Sequence, residues 1–234
     1  MKLTPETIAY IVNAIKTAKL VGIEDVIIEP DMVRAMDPSN SVVLFQNTDV
    51  PDMPFGSIGL TRINTLLTRY DIASSCENFN VTADVKGTDD FARSLLLKGK
   101  GIKVDYRCGK PLHIKAPRQV NDTLQSSVTI NSEAVTMLQK GASAMGADLV
   151  SVISNDDGVS FEISDVNSDI FSYTFADSAE PLTDDNKTTF ANRYPIKIIS
   201  ALFKSNPTGT FSVGAKGIMS FPINGLTVFV LPQI

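Results

Sequence analysis

Three adjacent acid pairs, Asp89-Asp90, Asp156-Asp157 and Asp184-Asp185, are the side chains here best suited to hold Mg²⁺. Carboxylate oxygens are hard donors, and a bound divalent cation could drive phosphodiester cleavage. All three pairs fall in segments read as turns, where Asp is favoured because its side chain bonds nearby backbone. Turn chemistry is the stronger reading, so no metal and no other cofactor is expected. His113 is the single histidine, which leaves any serine or cysteine triad one possible base. The patterns Gly-x-Ser-x-Gly, Cys-x-x-Cys, His-Glu-x-x-His and the phosphate loop are absent. Lys98-Gly99-Lys100-Gly101 could cradle an anion but reads as a hairpin turn. Cys76 and Cys108 lie far apart and read as free thiols of a reducing compartment, with one disulfide as the alternative. A metal-dependent nuclease is the one catalytic alternative these residues leave.

The other chemistry on offer is attraction to phosphate. The chain is acidic, with 26 Asp and Glu against 21 Lys and Arg. Yet the segment FANRYPIKIISALFKS, residues 190–205, carries Arg193, Lys197 and Lys204 and no acid. Residues on a helix advance by about 100° each. Lys197 and Lys204 therefore fall opposite Ile199, Leu202 and Phe203, with Arg193 aligned just before the helix. In residues 61–70, Arg62, Thr65 and Arg69 form a stripe beside an apolar face. In residues 131–146, Lys140 lies opposite Val135 and Leu138, and Lys16 flanks the apolar face of the first helix. Lys19 is the weaker candidate, close to that helix's frayed end. Glu6 and Glu133 sit in first turns, where the helix dipole favours an acid. A solvated outer face explains any single helix. Four such helices in an acidic chain point instead to a surface that meets phosphates without reading bases. These faces carry no aromatic residues on which single-stranded bases would stack.

The elements that must position these bases follow one order, given twice. Thr4-Pro5-Glu6 starts a helix that ends near Val21-Gly22. Short strands follow in DVIIEP, MVRAM and SVVLFQ. A second helix is expected over IGLTRINTLLTRY, with Ile63, Leu66, Leu67 and Tyr70 at helical spacing. FNVTADV, SLLLKG and IKVDYRC are further strands. KAPRQVNDTLQ, residues 115–125, reads as a linker. Then a helix over 131–146, with Val135, Leu138 and Ala142 inward, restarts the pattern. Strands in DLVSVIS, VSFEIS and DIFSYTF, the acidic loop ADSAEPLTDDNKT, the basic helix and three last strands complete it. A repeat of this length is a duplicated domain, expected at 1–114 and 126–234 with the connector 115–125 between. Many short strands and few helices make the class α+β with antiparallel sheets. No apolar run approaches the roughly 18 residues of a membrane span, and the N-terminus lacks the features of a signal peptide. A cytoplasmic location and no membrane partner are expected.

Four stretches carry a resemblance. MVRAMDPSNSVVL (32–44), GADLVSVISNDDGVSFEISDV (146–166), FANRYPIKIISALFKSNP (190–207) and the final VFVLPQI are similar, in order and spacing, to segments of DNA polymerase sliding clamps. The clamps in question are of the proliferating cell nuclear antigen type, including those of tailed phages. The resemblance implies the DNA clamp fold: two similar domains, each with two helices and antiparallel sheets. It implies a homotrimeric ring whose helices face duplex DNA, and it implies no catalysis. The implied partners are double-stranded DNA bound without sequence preference, a DNA polymerase, a clamp loader and further copies of the chain. The DNA-facing positions are then Lys16, Arg62, Arg69, Lys140, Arg193, Lys197 and Lys204. A pocket for partner peptides maps onto Met36, Val43, Leu124, Phe229, Val230, Leu231 and Pro232. Ring closure maps onto the edge strands that contain Ile102, Val104 and Tyr106 and, in the other half, Ile170, Ser172 and Tyr173. The family's usual Ser-His-Val is Ser39-Asn40-Ser41 here. The start MKL and the shortened second half suggest a viral source. The alternative within the same fold is an accessory factor that acts as a monomer, a dimer or a member of a mixed ring.

Overall fold

The computed structural model describes residues 1–46, 48–87, 89–155, 158–175, 179–181 and 190–233. Two of the acid pairs, Asp156-Asp157 and Asp184-Asp185, lie outside the described residues, as does most of the acidic loop 176–188. The chain divides into two compact units, Met1–Gln119 and Val120–Ile234.

In the first unit, α1 (Pro5–Leu20) is followed by β1 (Val26–Ile28), β2 (Val33–Met36), β3 (Val42–Gln46) and β4 (Ile58–Leu60). Then come α2 (Ile63–Ser74), β5 (Asn80–Asp84), β6 (Ser94–Gly99) and β7 (Ile102–Arg107). The Thr4 side chain caps α1 by accepting from the Thr7 N–H at 3.1 Å, and Pro5 occupies the first turn. One antiparallel sheet runs β3-β2-β1-β4 and a second runs β5-β6-β7. The helices α1 and α2 pack on each other, and α2 lies against β6 and β7. An apolar layer of Leu3, Ile11, Ile15, Leu66, Leu67, Leu95 and Leu97 is buried there.

The expected helix over 58–70 is corrected here. Ile58–Leu60 is a strand, paired to β1 with Val26 opposite Leu60. Arg62 takes the left-handed conformation, φ 55°, so the helix can begin only at Ile63.

The turn from β2 to β3 is organised by one carboxylate. Asp37 accepts from the N–H groups of Ser39 (3.1 Å), Ser41 (2.7 Å) and Val42 (2.6 Å), and from the hydroxyls of Ser39 and Ser41. Burial opposes its charge, but the hydrogen bonds from Ser39, Val42 and Ser41 together outweigh it and hold the carboxyl below its usual range. A folded pKa below the unfolded one means that the stabilisation is full above about pH 4 and is lost as pH falls through the folded value. Asp37→Asn is expected to cost about 1–3 kcal/mol at neutral pH. Urea midpoints measured across acid pH should show the variant less pH-dependent than the parent below about pH 4. Parallel curves would remove Asp37 as the organiser.

In the second unit, β8 (Leu124–Thr129), α3 (Ser132–Met145), β9 (Leu149–Asn155), β10 (Gly158–Ser164) and β11 (Ile170–Thr174) come first. After them come β12 (Ala179–Pro181), β13 (Phe190–Pro195), α4 (Ile196–Ser205), β14 (Thr210–Gly214), β15 (Met219–Ile223) and β16 (Leu226–Val230). One antiparallel sheet runs β12-β8-β14-β15-β16 and the other β11-β10-β9-β13. Asn131 caps α3 by accepting from the Ala134 N–H at 2.7 Å, and Gly146 closes it in the left-handed conformation. The core is aromatic: Phe161, Phe175, Phe203, Phe211 and Phe221 are all buried.

Two expectations change in this unit. The residues just before the basic helix form a strand that was not foreseen, Phe190–Pro195, which carries Arg193 opposite Ser151 on β9. Pro195 stands at the N-cap and α4 starts at Ile196. On α3 the buried line is Ala134, Leu138 and Gly141, while Val135 and Ala142 are half-buried. A Cβ on Gly141 would sit 2.5 Å from the Phe171 ring, so helix and sheet approach through a residue without a side chain.

The stretch read as a linker is bonded along its length, and β8 begins inside it. Arg34, only 9% exposed, donates to the Ala116 carbonyl at 2.8 Å and to Glu29 at 2.8 Å, and Arg118 lies 3.7 Å from the same carboxylate. In the second unit, Asp122 accepts from the N–H groups of Lys216 (3.0 Å) and Ile218 (3.1 Å). Polar side chains thus supply the partners that a chain without regular structure leaves unmet.

Candidate nucleic-acid interface

The four helices carry six bases: Lys16 and Lys19 on α1, Arg69 on α2, Lys140 on α3, and Lys197 and Lys204 on α4. Against them stand three acids, Glu6, Asp71 and Glu133. The helices therefore reverse the acid excess of the chain. Asp71 was not foreseen, because α2 runs on to Ser74 beyond the periodic stretch. All six bases are exposed except Arg69, which is half-buried. On α4 the apolar side is Ile196, Ile199, Leu202 and Phe203, and the two lysines stand away from it, about 10 Å apart along the axis.

None of these six bases forms an ion pair among the described residues. The ion pairs instead engage Arg34, Arg93, Lys100, Arg107 and Arg118, all outside the helices. Unpaired cations fixed on helices at the surface attract polyanions through water without geometric selection.

Two predicted bases behave differently. Arg62 precedes α2 rather than riding on it. Its guanidinium stands 5.7 Å from the Tyr106 ring centre and donates to the Arg107 carbonyl at 3.3 Å. It is a cation held over an aromatic ring, not the first member of a helical stripe. Arg193 is exposed on β13, and its main-chain carbonyl accepts from the Gln233 N–H at 2.8 Å.

The edges of the two sheets are asymmetric. Residues 1–3 cover the outer edge of β5 through Leu3 N–H to the Val81 carbonyl (2.9 Å) and Ala83 N–H to the Met1 carbonyl (2.8 Å). The strand β7 pairs with β6 alone, and β11 with β10 alone, among the described residues. Ile102, Val104 and Tyr106 were expected at a subunit contact. They face inward, with Tyr106 fully buried and its hydroxyl donating to the Thr61 carbonyl, because burial alternates along the strand. The outward residues of β7 are Lys103, Asp105 and Arg107. On β11, Ile170 and Ser172 face outward, while Tyr173 stacks on Phe161 at 5.2 Å.

Among the pocket residues, Val43 (3% exposed) and Val230 (0%) are buried and cannot be touched directly. Leu124 is exposed, and Met36, Phe229, Leu231 and Pro232 are half-exposed.

Of the acid pairs, Asp89-Asp90 lies within the described residues. Asp89 is committed to Arg93 at 2.5 Å, and the Asp90 carbonyl accepts from the Ser57 N–H at 2.8 Å. No group of three or more metal-ligating side chains occurs among the described residues. Cys76 and Cys108 are free, and burial pushes the Cys108 thiol up to about 12. Among the described residues no helix is long and apolar enough to cross a membrane.

No family model and no curated protein matches the sequence. Solved structures do match the fold. Proliferating cell nuclear antigen from Entamoeba histolytica superposes with a TM-score of 0.61 at 14% identity, covering 97% of this chain and 96% of that one. The same antigen from A. fulgidus, solved with the C-terminal region of FEN-1 bound, gives 0.59 at 17% identity over 100% and 97%. The Thermococcus kodakaraensis antigen gives 0.61 at 12% identity over 97% of each chain. The chain thus has the α+β fold of these sliding clamps from end to end.

Proposed function

We propose, from the clamp fold the chain carries, that it is a sliding clamp. Three copies close into a ring around duplex DNA and tether a DNA polymerase, with no chemistry of their own. The observation that carries this reading is the pair of edges without a strand partner among the described residues, β7 in one unit and β11 in the other. An exposed edge invites pairing with another chain. A contact between two different patches, repeated head to tail, closes into a ring when its rotation allows. Lys103, Asp105 and Arg107 point outward from β7, with Arg107 paired to Asp105 at 3.5 Å, which leaves one base unpaired among the described residues, Lys103, on that edge, while Glu162 lies on β10 behind β11.

In that ring the helices face the duplex. Their unpaired bases provide attraction without register, which suits a protein that must slide, while the acidic remainder repels DNA from the outer surface. A clamp loader opens and closes the ring on DNA. Polymerase and loader dock by short peptides, as the C-terminal region of FEN-1 does on the A. fulgidus antigen. Of the positions that the resemblance assigns to peptide binding, Met36 in the first unit and Leu124, Phe229, Leu231 and Pro232 in the second keep exposed surface. A viral source and a cytoplasmic site of action belong to the same proposal.

Light scattering on the purified chain over a concentration series tests the ring. The expected mass is three times the 25.3 kDa of the chain. A monomer at every concentration would sink the edge-pairing reading.

A further inference from the structure

Few large apolar side chains remain exposed among the described residues, and the two most exposed are Val166 (98%) and Leu112 (91%). Each lies within five residues, along the chain, of the end of one of the edge strands. Leu112 lies in the turn Pro111–His113 that follows β7, and Val166 in the turn that leads into β11, with Ile170 (63%) at the start of that strand. An isolated exposed leucine means little. This placement means more, because antiparallel pairing sets the C-terminal end of one strand beside the N-terminal end of its partner. Joining β7 of one copy to β11 of the next therefore brings Leu112 to the end where Val166 and Ile170 stand.

Both turns are held in place. Asp165 accepts from the N–H groups of Asn167 (2.8 Å) and Asp169 (2.9 Å), and its own N–H donates to the Asp169 carbonyl (3.1 Å). Ser168 completes that turn in the left-handed conformation, φ 70°. Around Leu112, His113 N–H donates to the Lys110 carbonyl (2.9 Å), Ile114 N–H to the Pro111 carbonyl (3.1 Å), and Ile114 is buried. Apolar side chains fixed in solvent lose little freedom on contact, so their burial adds affinity efficiently.

We infer that Leu112 of one copy packs on Val166 and Ile170 of the next, forming an apolar clasp that fixes the register of the β7–β11 contact. Hydrogen bonds along a strand repeat at every second residue and do not by themselves choose a register. An apolar contact at one end does choose it. The inference rests on the edge-pairing reading above.

Leu112→Asp and Val166→Asp, made separately, test it, with Ile72→Asp on α2 as the control (54% exposed and on neither edge). Each clasp variant should weaken each contact about tenfold. Closing the ring takes three contacts in two association steps, so the midpoint concentration of assembly should rise about thirtyfold. Ile72→Asp should assemble like the parent, and Leu112→Asp with Val166→Lys should recover most of the loss. Leu112→Ser and Val166→Ser give the same direction without adding charge. If the parent forms trimers and the clasp variants form them at the same concentrations, the clasp is wrong and the ring stands. If the parent stays monomeric, edge pairing fails and the clasp fails with it.

Discussion

Replacing Lys16, Arg69, Lys140, Lys197 and Lys204 together by alanine is expected to remove most of the salt-sensitive attraction of this chain for duplex DNA. Each phosphate neutralised by a base contributes about 0.9 to the slope of log affinity against log salt. If all five are engaged, the slope falls by about 4.5 per chain, a loss of at least about a hundredfold at low salt that shrinks as salt rises. Arg62 and Arg193 are left in place because one is engaged with Tyr106 and the other rides on a strand. The fold should survive. None of the five bases forms an ion pair among the described residues, and surface substitutions of this kind usually change stability by less than about 0.5 kcal/mol each. The readouts are DNA binding across a salt series and the processivity of a polymerase with preloaded clamp. An unchanged slope together with unchanged processivity would show that the helices do not face DNA.

The second large effect concerns the frame that holds α4. Phe211→Ala should destabilise the second unit by about 3–5 kcal/mol. Phe211 is 1% exposed. Its ring stacks on Phe221 at 5.5 Å and meets Phe203 and Phe175, each at 5.7 Å. Truncation leaves a cavity bounded by rigid rings that cannot close on it, so both transfer and cavity penalties apply. Phe203 belongs to the apolar side of α4, opposite Lys197 and Lys204, so loss of the ring contact also loosens the seat of the helix that carries them. In urea the transition of residues 120–234 should move down by about 2 M, while Ser212→Ala, on the neighbouring half-buried residue, should barely move it. A Phe211→Ala midpoint within about 0.5 M of the parent would mean that the aromatic cluster packs differently.

Much of this protein was determined by its sequence alone. Thr4-Pro5 and Asn131 set the starts of α1 and α3, because a cap needs only a side-chain acceptor and the N–H groups within the next turn. The basic side of α4 followed from spacing, since helical neighbours lie three and four residues apart. The hairpin at Lys98–Gly101 followed from its glycines, and the two-fold order of elements from simple succession. Ile58–Leu60 and Phe190–Pro195 were decided elsewhere. Both are short and apolar enough for helix or strand, and they became strands because β1 and β9 offered them partners. The direction of Arg62 waited on Tyr106, which is 44 residues further along the chain in sequence. So did the inward turn of Ile102, Val104 and Tyr106, which placed Lys103, Asp105 and Arg107 outside. A helix satisfies its own backbone within one turn, so its sequence is enough to specify it. A strand is completed only by what lies beside it, and β7 and β11 each keep one edge without a strand partner among the described residues.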